Sequence, residues 1–390
     1  MRKAFVRGCI PSLLFMLAAA PLALCAERVL DLTAADGAKL KATYYAAGKA
    51  GPGVLLLHQC NRDRKVWDGL AQQLSAAGIN VLTLDYRGFG ESAGIPHDKA
   101  TPQELNEELE KWPRDIDVAY QYLVSQPGVA RDAIGVGGAS CGVNNSLQTA
   151  IRHPEVRSLV LLSGNTNYEG RQFLRRDNRI PIFLAYADDD DFAPTVVQVQ
   201  WLYDSTADPE KKLVSYPKGG HGADIFRVHP ELMAAITDWY VTTLIKTPGK
   251  APAPNPPVTL LPEVQVLNTI DQGGAAKVQT QLEQARQRDP KATIFDEASV
   301  NFMGYEHMQA GDVKGAIEIL KLNVYAYPNS PNVYDSLGDA YLADSQADLA
   351  RQNSRKAIAL LASDTTDNQQ RKDGIRANAE AKLGQLDDEP

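Results

Sequence analysis

The sequence predicts a mostly parallel sheet with helices on both faces, followed by a small all-helical domain. Between about residues 28 and 245, short apolar runs alternate with segments of helical spacing, which is typical of an α/β protein with a parallel sheet. A proline-rich stretch then breaks this alternation. Beyond it, the pattern is helical and repeats along the chain. We therefore expect an α/β domain over 27–246, a linker over 247–261 and a helical domain over 262–390.

The N-terminus has the pattern of a secretory signal peptide. Three basic residues precede an apolar stretch over 13–24, which is too short to span a bilayer comfortably, and small residues follow it. We expect residues 1–26 to be removed and the mature chain to be periplasmic or secreted. An uncleaved membrane anchor is one alternative. Lipidation of Cys25 is another, although Leu24 is bulkier than the small residue typical of such sites.

Composition and charge exclude some classes of protein. The chain has 390 residues, of which 44% are hydrophobic and 23% charged, as in ordinary globular proteins. Its formal net charge of -8 argues against binding of nucleic acid, which needs a basic surface to neutralise phosphates. No pair of histidines has metal-ligand spacing, so we expect neither a metal nor a cofactor.

The elements of the α/β domain follow from apolar periodicity. The run Val54–Leu57 is apolar at every position, which favours a strand buried on both faces. Gly78 ends the helix that follows this strand. By the same criteria we expect strands at 54–57, 79–84, 133–137, 159–162, 182–184 and 213–216, and helices at 66–77, 112–126 and 146–152.

The candidate nucleophile is Ser140, in the segment Gly138-Ala139-Ser140-Cys141-Gly142. It lies between a predicted strand and a predicted helix, which is the context in which a G-x-S-x-G pattern indicates a nucleophile elbow. Only small flanking residues let the strand and the helix approach closely around such a turn. The N-terminus of the helix then faces the negative charge that develops during acyl transfer.

Two further segments extend this pattern into a resemblance. His58-Gln59-Cys60 follows a strand, and Asp85-Tyr86-Arg87-Gly88-Phe89-Gly90-Glu91-Ser92 follows the next one. With the Ser140 elbow, these segments resemble the α/β-hydrolase superfamily, and within it the serine hydrolases similar to dienelactone hydrolase. The resemblance implies an oxyanion hole formed by the backbone N–H groups of Cys60 and Cys141. Gln59 departs from the family pattern, which has glycine there.

The resemblance also places the acid and the base. The acid is expected after the strand at 182–184, where Asp190 of the run Asp188–Asp191 has the family spacing. A calcium or magnesium site is the alternative interpretation of this acidic run. The base is expected in the glycine-rich loop after the last strand, where His221 lies. Serine, aspartate and histidine then follow each other in the order that this fold uses.

These residues predict a serine hydrolase that cleaves a small-molecule carboxylic ester through a Ser140-Asp190-His221 triad and an acyl-enzyme intermediate. A peptidase or an acyltransferase on the same triad is one alternative. A protein-binding module with a vestigial hydrolase is another. Cys141 is a weaker candidate nucleophile, because a motif centred on it would need glycine where Ala139 and Val143 stand.

The two cysteines that remain in the mature chain are Cys60 and Cys141. If both N–H groups face one oxyanion, the Cα atoms come within the range that a disulfide tolerates, so either a disulfide or two free thiols is expected. Residues 164–181 are too few for a large lid, so we expect an open site. Tyr168, Phe173 and Arg175 are candidates for its mouth, with a place in a solvated loop as the alternative for most of them.

The helical domain contains a repeat of 34 residues. Gly304 and Gly338 are 34 residues apart, and so are Ala316 and Ala350. This spacing resembles the tetratricopeptide repeat, a helical hairpin with small residues where its helices touch. Two units are expected, over 297–330 and 331–364, with a weaker helical pair over 264–288. The alternative is a plain helical bundle. The resemblance implies a surface for a protein partner or for self-association.

Overall fold

The computed structural model of this chain describes residues 27–177, 179–192, 194–252 and 258–388. The predicted signal peptide and Cys25 lie outside the described residues, as does the centre of the proline-rich stretch at 253–257. In the described part of the chain, no helix has the length and apolar character needed to span a bilayer.

The first part of the chain forms one sheet of eight strands in the order β1-β2-β4-β3-β5-β6-β7-β8. The strands are β1 (Glu27–Thr33), β2 (Lys39–Tyr45), β3 (Gly51–Leu57), β4 (Asn80–Leu84), β5 (Val129–Ala139), β6 (Val156–Leu162), β7 (Ile182–Ala187) and β8 (Lys211–Tyr216). The six strands from β3 to β8 are parallel, while β1 and β2 form an antiparallel edge. The predicted mostly parallel sheet is confirmed.

Helices cover both faces of the sheet. They are α1 (Asp68–Ala76), α2 (Pro102–Leu109), α3 (Trp112–Ser125), α4 (Cys141–Arg152), α5 (Tyr168–Arg176), α6 (Thr195–Ser205), α7 (Ile225–Val228) and α8 (Glu231–Val241). A short 3₁₀ helix at Arg64–Trp67 precedes α1, and a π-helical turn at Thr242–Lys246 follows α8.

The central strand β3 shows how the two layers form. Leu55 and Leu57 belong to the core under α3 to α6, whereas Val54 and Leu56 belong to the core under α1 and α8. All four side chains are fully buried. An uninterrupted apolar run is therefore the sequence signature of a strand that packs against helices on both sides.

The helical region begins at Pro262, and its all-helical character confirms the prediction. Its helices are α9 (Pro262–Asp271), α10 (Ala275–Arg288), α11 (Glu297–Gln309), α12 (Val313–Ala326), α13 (Pro331–Ala343), α14 (Ala347–Leu360) and α15 (Gln369–Asp388). The pair α13–α14 has the bounds of α11–α12 shifted by 34 residues. A Cβ on Gly304 would lie 2.7 Å from the Leu320 side chain, so glycine lets α11 and α12 cross closely.

The helical region packs directly on the sheet region. Trp201 of α6 lies in the same apolar cluster as Val264 and Leu267 of α9. Beside it, the guanidinium of Arg171 lies 4.2 Å from the centre of the Trp201 ring, in cation–π geometry. The two regions therefore share an apolar contact in addition to the polar ones.

Arg171 is the centre of a buried ionic cluster at this contact. Its guanidinium donates to both carboxylate oxygens of Asp271, at 3.0 and 2.8 Å, and lies 2.7 Å from Glu306. Burial opposes ionisation of Asp271, but attraction to Arg171 and hydrogen bonds from His307 and Arg171 lower its pKa below the usual value. Arg171 and Asp271 are thus held as a buried charged pair, whereas burial raises the pKa of Glu306 above its usual value.

We expect Arg171→Met to lower the free energy of unfolding by about 3–5 kcal/mol, because it leaves the buried carboxylate of Glu306 without a cation and that of Asp271 with Arg175 as its remaining arginine partner. Arg176→Met is the matched control, since Arg176 is an exposed arginine on the same helix. Urea unfolding at pH 7 measures both changes. Equal effects of the two substitutions would contradict the role given to Arg171.

Candidate active site

Ser140 lies at the turn between β5 and α4. Its φ of 53° is in the left-handed region, which is rare for residues other than glycine. The turn leaves little room on either side of the serine. A Cβ on Gly138 would lie 2.0 Å from the carbonyl oxygen of Gly142, and one on Gly142 would lie 2.4 Å from that of Leu57. Both glycines of the motif are therefore required by backbone contacts.

Asp190 and His221 are brought together by neighbouring strands. Asp190 follows β7, His221 follows β8, and the parallel strands end at the same edge of the sheet. Nδ1 of His221 lies 2.8 and 3.0 Å from the two carboxylate oxygens of Asp190. The Asp190 side chain is fully buried. With Nδ1–H donating to Asp190, the lone pair of Nε2 is free to accept a proton.

Ser140 lies at the same edge, at the end of β5. In the part of the chain that the structure describes, its hydroxyl makes no hydrogen bond to His221. The structure thus pairs two of the three predicted residues directly and places the third at the same end of the sheet. Hydrogen bonds between a nucleophile and its base often tighten only when substrate is bound.

The aspartate that precedes Asp190 shapes the loop that carries His221. We call residues 217–224 the histidine loop. Asp189 accepts hydrogen bonds from the backbone N–H groups of Gly219 and Gly220, at 2.8 and 2.9 Å. Within the described residues, no group of three or more histidine, cysteine, aspartate or glutamate side chains could hold a metal ion.

Phe192 covers the imidazole of His221. The two rings are 4.3 Å apart between centroids, and the Phe192 side chain is 53% exposed. Its backbone N–H donates to Asp190 at 2.9 Å. Phe192 therefore shields one face of the His221–Asp190 pair while presenting its own outer face to solvent. Sequence analysis missed this residue, because an aromatic side chain two positions after the acid has no distinctive pattern.

Cys60 and Cys141 are joined by a disulfide, with their Cα atoms 5.9 Å apart. Cys141 is the first residue of α4, and Cys60 lies in the loop after β3, which we call the oxyanion loop (residues 58–62). Within the described chain, neither backbone N–H donates to a protein acceptor. The disulfide therefore joins the two residues whose N–H groups the sequence predicts to face the oxyanion.

His58 holds the base of the oxyanion loop. Its Nδ1–H donates to the carbonyl of Gln59 at 2.8 Å, and its Nε2 accepts the N–H of Tyr86 at 3.1 Å. Burial lowers the pKa of His58, in keeping with a neutral ring that both donates and accepts. His58 is thus part of the scaffold of the site.

The turn after β4 is stabilised by hydrogen bonds and an ion pair to the Asp85 carboxylate. Asp85 accepts from the N–H of Arg64 at 2.7 Å and from the N–H of Glu91 at 2.9 Å. The Arg64 guanidinium, which is almost fully buried, lies 2.5 Å from the same carboxylate. This cluster stabilises the turn beside the oxyanion loop.

A cavity of about 720 Å³ opens beside Cys60, between the oxyanion loop and the turn after β4. Its walls are polar and apolar in about equal parts, and they include Asn61, Arg62, Lys65, Phe89, His97 and Arg227. These residues were not predicted, because they come from three segments that are far apart in the sequence.

The residues proposed for the mouth of the site have other positions. Tyr168 stacks on His307 of the helical region with ring centroids 3.8 Å apart. Arg175 lies 2.5 Å from Asp271, and Phe173 packs against the core of the sheet region. The prediction that they line the mouth is therefore wrong, since the helical region packs against α5.

The sheet topology and the comparison with known families together confirm the predicted α/β-hydrolase fold. Residues 49–176, about a third of the chain, match the family described as serine aminopeptidase, S33. This segment contains the oxyanion loop and the Ser140 elbow, and it ends before Asp190.

Individual relatives also match part of the chain. The thiohydrolase aneE of Aspergillus aculeatus is 29% identical over 134 residues, which are 34% of this chain and 39% of that protein. The chain thus spans well under half of this curated relative. Among solved structures, the esterase Pf2001 of Pyrococcus furiosus has a TM-score of 0.46 at 18% identity, covering 56% of this chain and 91% of its own. A dienelactone hydrolase from Anabaena variabilis has a TM-score of 0.44 at 19% identity, covering 56% and 98%.

Because Cys60 and Cys141 are joined by a disulfide, the protein without residues 1–26 contains no reactive thiol when it is denatured but not reduced. Substituting both cysteines, as in Cys60→Ser with Cys141→Ser, is expected to lower the free energy of unfolding by about 2–4 kcal/mol, because the bond closes a long loop in the unfolded chain. Thiol titration and urea unfolding measure the two effects. Dithiothreitol should destabilise the wild type and leave the double variant unchanged. Two reactive thiols in the wild type would contradict the pairing.

Proposed function

We propose that the protein is a serine hydrolase that cleaves carboxylic esters through Ser140, Asp190 and His221. The observation that carries this proposal is the hydrogen bond between His221 and a fully buried Asp190, at the sheet edge where Ser140 occupies a left-handed turn. A histidine oriented in this way can act as a general base toward a serine at the same edge.

The acylation step follows from these groups. Oγ of Ser140 attacks the carbonyl carbon of the ester while Nε2 of His221 takes the hydroxyl proton. The carbonyl π electrons move to oxygen, and the oxyanion accepts hydrogen bonds from the N–H groups of Cys60 and Cys141. When the tetrahedral intermediate collapses, the bond to the alcohol oxygen breaks and His221 returns its proton to the leaving alcohol. Asp190 stabilises the imidazolium during both transfers.

Deacylation repeats the sequence with water. His221 takes a proton from water as its oxygen attacks the acyl carbon, and the proton passes to Oγ of Ser140 when the acid leaves. These steps use only side chains, backbone N–H groups and water, so the reaction as proposed needs no cofactor.

The cavity beside Cys60 is the candidate binding site for one side of the substrate. Its volume of about 720 Å³ and its mixture of polar groups with Phe89 suit a small ester that carries polar substituents. Hydrolysis of an amide is a second candidate, favoured by the match to the family described as serine aminopeptidase. The relationship to a thiohydrolase supports including thioesters among the substrates tested.

Ser140→Ala is expected to lower kcat/KM for an activated ester by at least about 10³-fold, because it removes the nucleophile and leaves only binding and oxyanion stabilisation. Ser125→Ala, at the end of α3, is the control that should retain activity. Turnover of p-nitrophenyl esters, an acyl thioester and an aminoacyl p-nitroanilide identifies the preferred bond.

A fluorophosphonate probe provides an independent test of the same proposal. It should label Ser140 in the wild type and nothing in Ser140→Ala. A wild type that is neither labelled nor active on any of the three substrate classes would favour a binding protein with a vestigial hydrolase. Labelling of another residue would overturn the assignment of the nucleophile.

We also propose that the chain is exported and that its helical region binds a protein partner or another copy of the chain. Export to an oxidising compartment is supported by the Cys60–Cys141 disulfide, since such bonds are rare in the cytosol. Tetratricopeptide-like character of the helical region is supported by its 34-residue register. A groove of about 970 Å³ between α9 and α10, with Gln265, Lys277, Gln281 and Arg288 in its walls, supports a protein partner or self-association.

A further inference from the structure

Gln59 is fully buried and uses both ends of its amide. Its Oε1 accepts the backbone N–H of Ala223 at 2.7 Å. Its Nε2 donates to Oδ1 of Asn61 at 2.9 Å and to the backbone carbonyl of His221 at 3.3 Å. Asp224 lies at the limit of hydrogen bonding, 3.5 Å from Nε2. A single side chain of the oxyanion loop is therefore bonded to the main chain of the histidine loop on both sides of Gly222.

A second contact joins the same two loops at their outer end. The guanidinium of Arg62 donates to both carboxylate oxygens of Asp224, at 3.1 and 2.7 Å. Asp224 in turn follows Ala223 directly, so this ion pair and the amide of Gln59 act on adjoining residues. The loops are separated by more than 160 positions in the sequence, and these contacts fix their relative positions in space.

The histidine loop is shaped to admit the Gln59 side chain. Gly222 has a φ of +62°, and a Cβ on it would lie 2.3 Å from Oε1 of Gln59. Gly220, on the other side of His221, has a similar φ of +71°, but a Cβ there would meet nothing within 4 Å. The close approach of backbone to side chain is thus specific to the position that faces Gln59.

We propose that Gln59 is a positioning residue that sets the catalytic base relative to the oxyanion hole. It precedes Cys60, whose N–H is assigned to the oxyanion, and it bonds to the backbone carbonyl of His221. A glycine at this position could make neither contact, because it has no side chain. The inference rests on the proposed hydrolase function and adds a residue to it.

The expected effect is on the chemical step. A displacement of about 1 Å in a catalytic group can cost up to 100-fold in rate. We expect Gln59→Met, which keeps the volume but removes the amide, to lower kcat by roughly 10- to 100-fold with little change in KM, because oxyanion and base act mainly in the transition state. Gln59→Gly should behave similarly.

The split between kcat and KM separates positioning from general destabilisation. Titration of the wild type and of Gln59→Met with the fluorophosphonate probe gives the concentration of folded, labelled sites, so kcat can be expressed per labelled serine. A displaced base lowers kcat per labelled site and leaves KM nearly unchanged. A variant that is merely less stable would lose labelled sites without lowering kcat per site.

The two glycines give a matched test of the contact itself. Gly222→Ala and Gly220→Ala place the same side chain at similar backbone angles, and so share the strain of a positive φ. Only Gly222→Ala forces Gln59 away from its partners, so its kcat should fall at least tenfold below that of Gly220→Ala. In a Gln59→Gly background this difference should disappear, which a double-mutant cycle measures.

The outcomes distinguish the two proposals. Unchanged kcat per labelled site in Gln59→Met, or equal kcat for the two glycine variants in the presence of Gln59, would overturn the positioning role while leaving the hydrolase intact. If Gln59→Met does not fold, the glycine pair decides the matter alone. A wild type without activity and without fluorophosphonate labelling would instead remove the hydrolase function on which the inference rests.

Discussion

The close contact between the first turn of α4 and the end of β3 is the constraint on which the candidate site depends. The backbone at Gly142 approaches the carbonyl of Leu57 so closely that no side chain fits between them. Ser140 therefore lies beside the oxyanion loop, which begins one residue after Leu57. The disulfide between Cys60 and Cys141 crosses the same gap. Pairing of β3 with β5 in the middle of the sheet makes this contact possible.

The strained turn at Ser140 has an energetic cost that the surroundings must offset. A non-glycine residue in the left-handed region costs on the order of 1–3 kcal/mol and persists only where neighbouring contacts determine it. Here the N–H of Ser140 donates to the carbonyl of Leu162 at 2.8 Å. Neighbouring backbone atoms leave no room for a side chain at the glycines on either side. The result is a half-buried serine at the turn before α4 instead of one inside the helix.

Much of the sheet could be predicted from the sequence because its strands are buried on both faces. All six apolar runs identified in the sequence are strands in the structure, including those that lead to Ser140 and the two loops around it. The antiparallel strands β1 and β2 were not identified. In β1 most side chains are exposed, so its sequence lacks the apolar run that marks a buried strand.

Part of the candidate site could be predicted and part could not. Asp190 and His221 were predicted because the resemblance to α/β hydrolases implies an acid and a base after these two strands, and the structure pairs them. The contacts of Gln59 with the histidine loop could not be predicted, because they join side chain to backbone across more than 160 residues. The one signal in the sequence was that Gln59 departs from the glycine that the resemblance implies. Its amide makes contacts that a glycine could not replace.

The helical region packs against the sheet region although a proline-rich segment separates the two in the sequence. A proline-rich linker suggests two independent bodies, yet Arg171 and Trp201 of the sheet region are buried by α9 and α11. Without the helical region, Arg171 would be a charge with no carboxylate partner in an apolar setting. Without Arg171, the buried carboxylates of Asp271 and Glu306 would lose an ion-pair partner. Each region therefore carries groups that are stable only in the presence of the other. Removing the helical region would expose this surface on α5 and α6, the two helices that flank β7, the strand that leads to Asp190. Because α6 packs on both β7 and α9, the strand that leads to Asp190 is joined to the helical region through this helix.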